Sequence, residues 1–459
     1  MTTIKLDPGA ALLLDALHGA GHAAYAVGGC VRDSLLGLAP HDWDLCTSAR
    51  PEQVMALFGE EKCIPTGLQH GTVTVKQGGR LYETTTFRTE GAYSDGRHPD
   101  AVCFVPDVRE DLARRDFTIN AMAYSAEEGL IDPFGGRDDL AAHLVRAVGE
   151  PERRFEEDAL RILRLYRFAA RFGFAIDPAT GAAARALGPH LDCVSAERIQ
   201  EELLKLLAAP RPGSYLEPAV LAVVLPELEP EKQPERFAEL CRTIDRIEPT
   251  AENVPTRLAA LLWPLGEAGA RKALRKLKCS NALTDEVTAL EREAGGGAGS
   301  FLLSRSRDRW AGSSSEDRPL GWDPAAAGSR AGDGMARTVS EEEAPGTPGS
   351  DQTLIAKRLL GRYELPTIQR LTALCSARHP EQAEAFAALR AEAEQLTAEN
   401  ACCRVSQLAV NGRDLMAAGV RPGPGLRQVL NALLEAVITG QTPNEKDALL
   451  AAAAQFSAS

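Results

Sequence analysis

The stretch Ala26-Val-Gly-Gly-Cys-Val-Arg-Asp-Ser-Leu-Leu-Gly37, followed closely by His41-Asp-Trp-Asp-Leu45, decides how the rest of the chain is read. The apolar run Ala23 to Val27 reads as a buried strand and ends in the pair Gly28-Gly29. Two glycines let the backbone turn sharply and approach a ligand with no Cβ in the way. Val31 to Leu36 has helical spacing, so its free N–H groups and dipole would face an anion. Arg32, in its first turn, would bind phosphate oxygens. Asp42 and Asp44 follow, one residue apart. In an extended chain residues i and i+2 share a face, so both carboxylates converge while Trp43 and Leu45 point into the core. Such a pair beside a phosphate cradle suits Mg²⁺ ions bridged to a nucleotide. Alone, a Gly pair is usually a turn, and Asp-x-Asp a loop bonding its own backbone. Joined at this spacing, they point to nucleotide chemistry.

Composition sets the outer bounds. The chain has 459 residues, enough for several domains, with 44% hydrophobic and 25% charged residues, ordinary for a globular protein. No apolar run approaches the ~20 residues of a membrane span, and residues 1–10 lack a secretion signal. Ten cysteines without metal-ligand spacing fit a reduced, cytoplasmic setting. A net charge of −13 excludes indiscriminate nucleic-acid binding, so any RNA-binding cations must be concentrated locally.

Taken in order, Leu6 to Gly19 reads as an amphipathic helix, and Thr47 or Ser48 would cap a second helix, Pro51 to Phe58. Gly71 to Lys76 and Arg80 to Phe87, joined at Gln77-Gly-Gly79, read as a β-hairpin. Glu83 on its second strand is either a third carboxylate for Asp42 and Asp44 or a cross-strand surface residue. Arg88 to Pro106 reads as a polar surface loop. Glu110 to Tyr124 reads as a helix bearing Arg114, Arg115, Asp116 and Asn120. Strand signals nearly vanish after Leu140. Phe155 to Phe172 is predicted as one amphipathic helix, with Arg161, Arg164, Arg167 and Arg171 on one flank. Helices continue over Ser195 to Leu207, Leu216 to Leu225, Arg257 to Leu262 and Ala270 to Leu277. The last carries Arg271, Lys272, Arg275, Lys276 and Lys278, either snorkelling surface cations or an RNA backbone contact. Residues 294–352, dense in Gly, Ser, Pro and Ala and without periodicity, read as a disordered insert. Helices resume at Leu354 to Leu360, Pro380 to Glu399 and Leu426 to Thr439.

The opening string resembles the signature of the nucleotidyltransferase superfamily, in the branch of CCA-adding tRNA nucleotidyltransferases and bacterial poly(A) polymerases. Arg114-Arg-Asp-Phe-Thr-Ile-Asn-Ala121 resembles that family's second motif and Ile131-Asp-Pro-Phe-Gly-Gly136 its third. Glu157-Asp-Ala-Leu-Arg-Ile-Leu-Arg164 resembles the fourth, and Ser195 to Leu207 the fifth. Leu408-Ala-Val-Asn-Gly-Arg-Asp-Leu-Met416 with Gly419 to Gly425 resembles the family's tail, where Asn-Gly-x-Asp-Leu, here Asn411 to Leu415, caps a turn. The resemblance covers residues 20–290 and 405–450; the 294–352 insert has no counterpart in it.

The resemblance implies an α+β protein: a nucleotidyltransferase head with a small mixed sheet (1–138), then an all-α neck (139–207) and body (208–293). After the insert (294–352) comes a helical body and tail (353–459). It implies template-independent addition of CCA to the 3′ end of tRNA from CTP and ATP, with Mg²⁺ on Asp42 and Asp44. Gly29 and Arg32 would cradle the triphosphate, assisted by Arg115 (or Arg114), with Asp116 and Asn120 near the sugar. The 88–106 loop would rearrange as the incoming nucleotide changes. No membrane is involved, and a monomer or a homodimer fits equally. Rival readings are a poly(A) polymerase, whose strongly basic C-terminal extension is missing, an enzyme adding only CC or only A, and a non-catalytic RNA-binding protein. The last would not need the costly pair Asp42 and Asp44.

Base choice without a template strand would fall to Asp158 and Arg161. At i and i+3 on a helix they share a face. A carboxylate only accepts and a guanidinium only donates. Cytosine and adenine both offer a donor beside an acceptor, whereas uracil and guanine reverse the order. Arg164 and Arg167 would support this pair and the phosphates.

Overall fold

β1 (Ala24–Val27) is buried at all four positions and lies inside a seven-stranded sheet. A computed structural model describes residues 3–91, 102–296 and 348–456. α1 (Pro8–Gly19), capped by the Asp7 carboxylate, precedes β1, and α2 (Gly29–Leu35) follows it. Then come β2 (Leu45–Thr47), α3 (Pro51–Phe58), β3 (Cys63–Gly67), β4 (Thr72–Gln77) and β5 (Arg80–Thr86). The β4–β5 hairpin turns on Gly78 and Gly79, with φ of +57° and +79°, the positive values a two-residue turn requires. The Thr47 and Ser48 hydroxyls do not cap α3: they bond to the Ala23 backbone, and the Gln53 side chain accepts from Arg50 N–H instead.

The expected 88–106 loop is a short antiparallel ribbon at its ends, β6 (Arg88–Glu90) with β7 (Val102–Phe104); its middle lies outside the described residues. The single helix expected over 110–124 is corrected. α4 (Val108–Ala113) stops, Phe117 becomes extended (φ −128°, ψ 149°) and bridges Ala147, and a 3₁₀ turn covers Thr118–Asn120. β8 (Ala123–Ser125) then pairs with β1, and β9 (Gly129–Ile131) forms the sheet edge. Burying Phe117, Ile119 and Ala123 against the sheet outweighs the weak helical pattern. Sheet order is β3-β4-β5-β2-β1-β8-β9, mixed because β2 and β5 run parallel. Tyr25, Val27, Cys46, Phe87, Leu112 and Ala123 form part of one core under it.

Beyond the Asp132-stapled turn and α5 (Gly136–Ala141), helices dominate, as expected. One strand pair was not anticipated: β10 (Leu144–Val145) lies parallel to β11 (Ala175–Ile176). The helix expected over 155–172 is two, α6 (Pro151–Glu157) and α7 (Leu160–Phe172). Asp158 between them is extended (φ −148°, ψ 102°), and its carboxylate accepts from Leu160 N–H, starting α7 anew. α8 (Pro178–Ala186), α9 (Ala196–Leu207), α10 (Pro218–Val224), α11 (Pro234–Arg246), α12 (Val254–Leu262) and α13 (Gly266–Lys276) follow. Buried Arg257 on α12 donates to the carbonyls of Leu207, Ala209 and Ile247, holding the ends of α9 and α11 together.

The described chain forms two units, 1–287 and 288–459; the expected boundaries at 138 and 207 fall inside the first. Most of the expected insert lies outside the described residues, and its edges are helical, in α14 (Asn281–Gly296) and α15 (Pro348–Arg362). α16 (Leu365–Arg378) and α17 (Ala383–Ala398) pack together. The tail comprises α18 (Gly412–Ala417), α19 (Pro424–Ile438) and α20 (Lys446–Phe456) around a core including Leu415, Leu433 and Leu449. Asn411 caps α18 as its motif suggested, accepting from Arg413 and Asp414 N–H while Asp414 accepts from Asn411 N–H.

Candidate active site

The Gly28 turn and the start of β2 lie side by side, tied by a 3.0 Å hydrogen bond from Val27 N–H to the Asp44 carbonyl. Gly28 has φ +77°, and a Cβ there would sit 2.8 Å from Nη1 of Arg115. Side-chain exposure alternates over Asp42, Trp43, Asp44 and Leu45, with the two aspartates out and the apolar pair buried, as the extended reading requires. The parallel register pairs Leu45 with Thr84, which sets Asp44 level with Glu83 on β5. Asp44 keeps solvent contact but is crowded by its walls. Desolvation first, then the charges of Glu83 and Asp42, push its carboxyl up to about 6, against the pull of Arg115. Asp42 is open to solvent and lies 3.1 Å from His41 Nδ1.

Of the two candidate arginines, Arg115 is the one against Gly28. Its Nη2 lies 3.3 Å from Asp111, and its buried Nε makes no hydrogen bond. Arg114 turns Nε and Nη2 onto the same buried Asp111 at 3.0 and 2.9 Å.

Arg32 corrects the sequence expectation. Its guanidinium does not project freely from the first turn of α2. It is 4% exposed, bonded to Asp33 at 2.8 Å and Asn120 at 2.5 Å, and lies over the Phe168 and Phe172 rings of α7. The cause is the inward face of α2, which points this side chain at α7. Gly29 is the first residue of α2 and keeps its place at the turn. From Asn120 the chain of contacts runs to Asp116 at 3.1 Å, and from Asp116 to Arg164 at 2.5 Å. Burial alone would raise the Asp116 carboxyl, but the charge and hydrogen bonds of Arg164, with Asn120, hold it well below the carboxylate range.

The other α7 residues are also partnered. Arg161 Nη1 bonds Glu157 at 2.8 Å and Nη2 the Arg114 carbonyl at 3.0 Å. Asp158 Oδ2 accepts from Arg198 on α9 at 2.8 Å. Arg167 bonds Glu202 on α9 at 2.6 Å and stacks on Phe168, 4.0 Å from its centroid. The helix break at Asp158 therefore removes the predicted shared helical face of Asp158 and Arg161, and the two carry different partners. Sequence reading missed Arg198 and Glu202. They stand four residues apart on α9, a helical spacing that was visible, but their partners on α7 are set by tertiary packing. Ser195, the N-cap of α9, makes no side-chain cap bond.

Asp42, Asp44 and the adjacent Glu83 are hard oxygen donors, and the Asp44 carboxyl is raised first by desolvation and then by the charges of Glu83 and Asp42. That donor set fits a divalent cation. Among the described residues no three His, Cys, Asp or Glu side chains are gathered closely enough to hold a metal, so Glu83 is a neighbour of the pair rather than part of a closed triad. All ten cysteines are free, and among the described residues no helix is long and apolar enough to cross a membrane.

A mixed-sheet head carrying a Gly turn and a strand-end Asp pair, followed by a helical chain, defines a nucleotidyltransferase. Residues 24–146 match the family model "Poly A polymerase head domain", 173–232 "Probable RNA and SrmB- binding site of polymerase A", and 362–453 "tRNA nucleotidyltransferase domain 2 putative". The chain is 35% identical over 453 residues to the CCA-adding enzyme of Limosilactobacillus fermentum, covering 97% of this chain and 96% of that one. It is also 35% identical to the CCA-adding enzyme of Geobacillus stearothermophilus, covering 94% and 92%. The crystal structure of the Bacillus stearothermophilus CCA-adding enzyme in complex with CTP superposes with a TM-score of 0.70 at 31% identity, covering 98% of both chains. The chain belongs to the CCA-adding enzymes.

Proposed function

We propose that this chain adds CCA to the 3′ end of tRNA in the cytoplasm, taking CTP and ATP and releasing pyrophosphate without a nucleic-acid template. The observation that carries the reading is Asp44, whose carboxyl is pushed up to about 6 at the start of β2 beside Glu83, with Arg115 and the Gly28 turn across from it. Asp42 and Asp44 would hold Mg²⁺, which supplies charge neutralisation at the phosphates and a lowered pKa for the attacking 3′-hydroxyl. Gly28 and Gly29 let the triphosphate approach the backbone. Arg115, with an unused buried Nε–H, donates to its oxygens. Arg32, bonded to Asn120, fixes α2 from behind rather than touching phosphate itself.

Asp158 and Arg161 remain the acceptor and donor for the base edge, with a cost the sequence did not disclose. Each must release a partner, Arg198 or Glu157, as cytosine or adenine arrives. Uracil and guanine would break those pairs without replacing them, which costs about 1–3 kcal/mol per unmatched group. Arg164 and Arg167, tied to Asp116 and Glu202, support the selecting residues from the same helix.

The test is extension of tRNA lacking its 3′ end with CTP, ATP or both. The account expects two C residues with CTP alone and a complete CCA end with both. Long A runs would instead make the chain a poly(A) polymerase, and stopping after CC or adding only A would make it a partial enzyme.

A further inference from the structure

Between positions 271 and 278 the chain reads Arg-Lys-Ala-Leu-Arg-Lys-Leu-Lys, with no acidic residue, in a protein of net charge −13. α13 buries Ala270, Ala273 and Leu274 and turns Lys272, Arg275 and Lys276 outward. These three stand at i, i+3 and i+4, so they share one face. Like charges at that spacing disfavour a helix, and no described residue relieves them: none of the three forms an ion pair. The flanking cations behave differently. Arg271 bonds Asp285 at 3.0 Å, and Lys278 bonds Glu197 at 2.6 Å.

The second of those contacts gives the free face an address. Glu197 is the neighbour of Arg198, the α9 residue whose guanidinium holds Asp158. The positive face therefore ends beside the helix that braces the base-selecting segment. Among the described residues the exposed large apolar side chains are Leu12, Leu38, Leu57, Leu68, Leu81, Phe104 and Met416, none on α13, so the face lacks the apolar stripe a membrane surface would need. An extended polyanion fits it.

We propose that Lys272, Arg275 and Lys276 form a phosphate-binding track for the RNA substrate, placing its backbone alongside α9 so that its 3′ end reaches the head. This rests on the reading of the chain as a tRNA-extending enzyme and adds the surface that holds the RNA. The contacts are with phosphates and carry no base preference.

Binding of tRNA lacking its 3′ end to the full chain, followed by fluorescence anisotropy across a salt series, tests it. Each lost phosphate contact lowers the slope of log affinity against log salt by about 0.7–0.9. Lys272→Gln/Arg275→Gln/Lys276→Gln should flatten the slope by about 2, and Arg275→Gln alone by about 0.7. The charge-keeping pair Lys272→Arg/Lys276→Arg should retain the original slope. Because all three side chains are exposed, thermal midpoints should not move; the single variant serves as the reading should the triple one melt early. A triple variant whose slope and affinity match the unaltered chain within twofold, while that chain extends tRNA, overturns the track alone. An unaltered chain that neither binds nor extends tRNA overturns the parent reading, and the track with it.

Discussion

Asp44 and Asp116 belong to the same head, yet their surroundings push them in opposite directions. At the start of β2, desolvation first and then the charges of Glu83 and Asp42 raise the Asp44 carboxyl to about 6. Where the head meets α7, Asp116 takes two hydrogen bonds from Arg164 and one from Asn120, and its carboxyl falls well below the ordinary 3.8. The first region crowds carboxylates together with too little opposite charge; the second compensates Asp116 internally. Uncompensated charge held on a rigid strand end marks where a ligand of opposite sign belongs. A satisfied network marks what holds the walls in place.

The contrast can be broken by mutation. The largest effect is expected from Asp44→Ala or Asp42→Ala. Nucleotide transfer should fall on the order of a thousandfold with no loss of thermal stability, since a repulsive charge is removed. Single-turnover extension of tRNA lacking its 3′ end measures it, and transfer within tenfold of the unaltered chain would place the reactive centre elsewhere. Asp116→Ala should do the reverse to stability. It strands Arg164 and should cost about 3 kcal/mol in urea unfolding. Asp116→Asn, which keeps some hydrogen bonds, should cost less, and equal losses would show that the network supplies charge and not hydrogen bonds. The smallest effect is expected from Arg198→Ala. Releasing Asp158 from its partner should change the preference for CTP over UTP by about fivefold, near 1 kcal/mol. An unchanged preference would mean that Arg198 does not influence base choice.

The pH dependence of stability has opposite signs at the two sites. Asp44 is raised, so between about 4 and about 6 the folded chain holds a proton the unfolded chain has lost, and stability declines as pH rises through that window. Asp116 is lowered, so its contribution is complete above the ordinary 3.8 and is lost only as pH falls through the depressed value. Unfolding of Asp44→Asn should lack the decline between about 4 and about 6; persistence of the full decline would assign it to another group.

These differences also explain what was legible in the sequence. The Gly28 turn, the alternation of Asp42 to Leu45, the β4–β5 hairpin and the Asn411 cap depend on neighbours within a few residues, and local pattern revealed them. The helical expectation over 110–124 failed because partners distant in sequence claim Phe117 and Ala123: an isolated bridge to Ala147 and the strand β1. The expectation for 155–172 failed because an aspartate within a helical pattern can also start a helix, and Asp158 does so. Arg32 was expected to face phosphate, but the packing of α2 against Phe168 and Phe172 turns it inward. Arg161, Arg164 and Arg167 looked like a free basic flank; Glu157, Asp116 and Glu202 make it a paired one.

Calorimetric titration of a divalent cation, Mg²⁺ or Mn²⁺, tests the central claim most directly. It should be run on the unaltered chain, Asp44→Asn and Asp116→Asn at pH values below and above the raised Asp44 value of about 6. The account predicts binding that strengthens as pH rises through about 6, is lost in Asp44→Asn and survives in Asp116→Asn. Equal binding by the unaltered chain and Asp44→Asn, or a loss confined to Asp116→Asn, would contradict it.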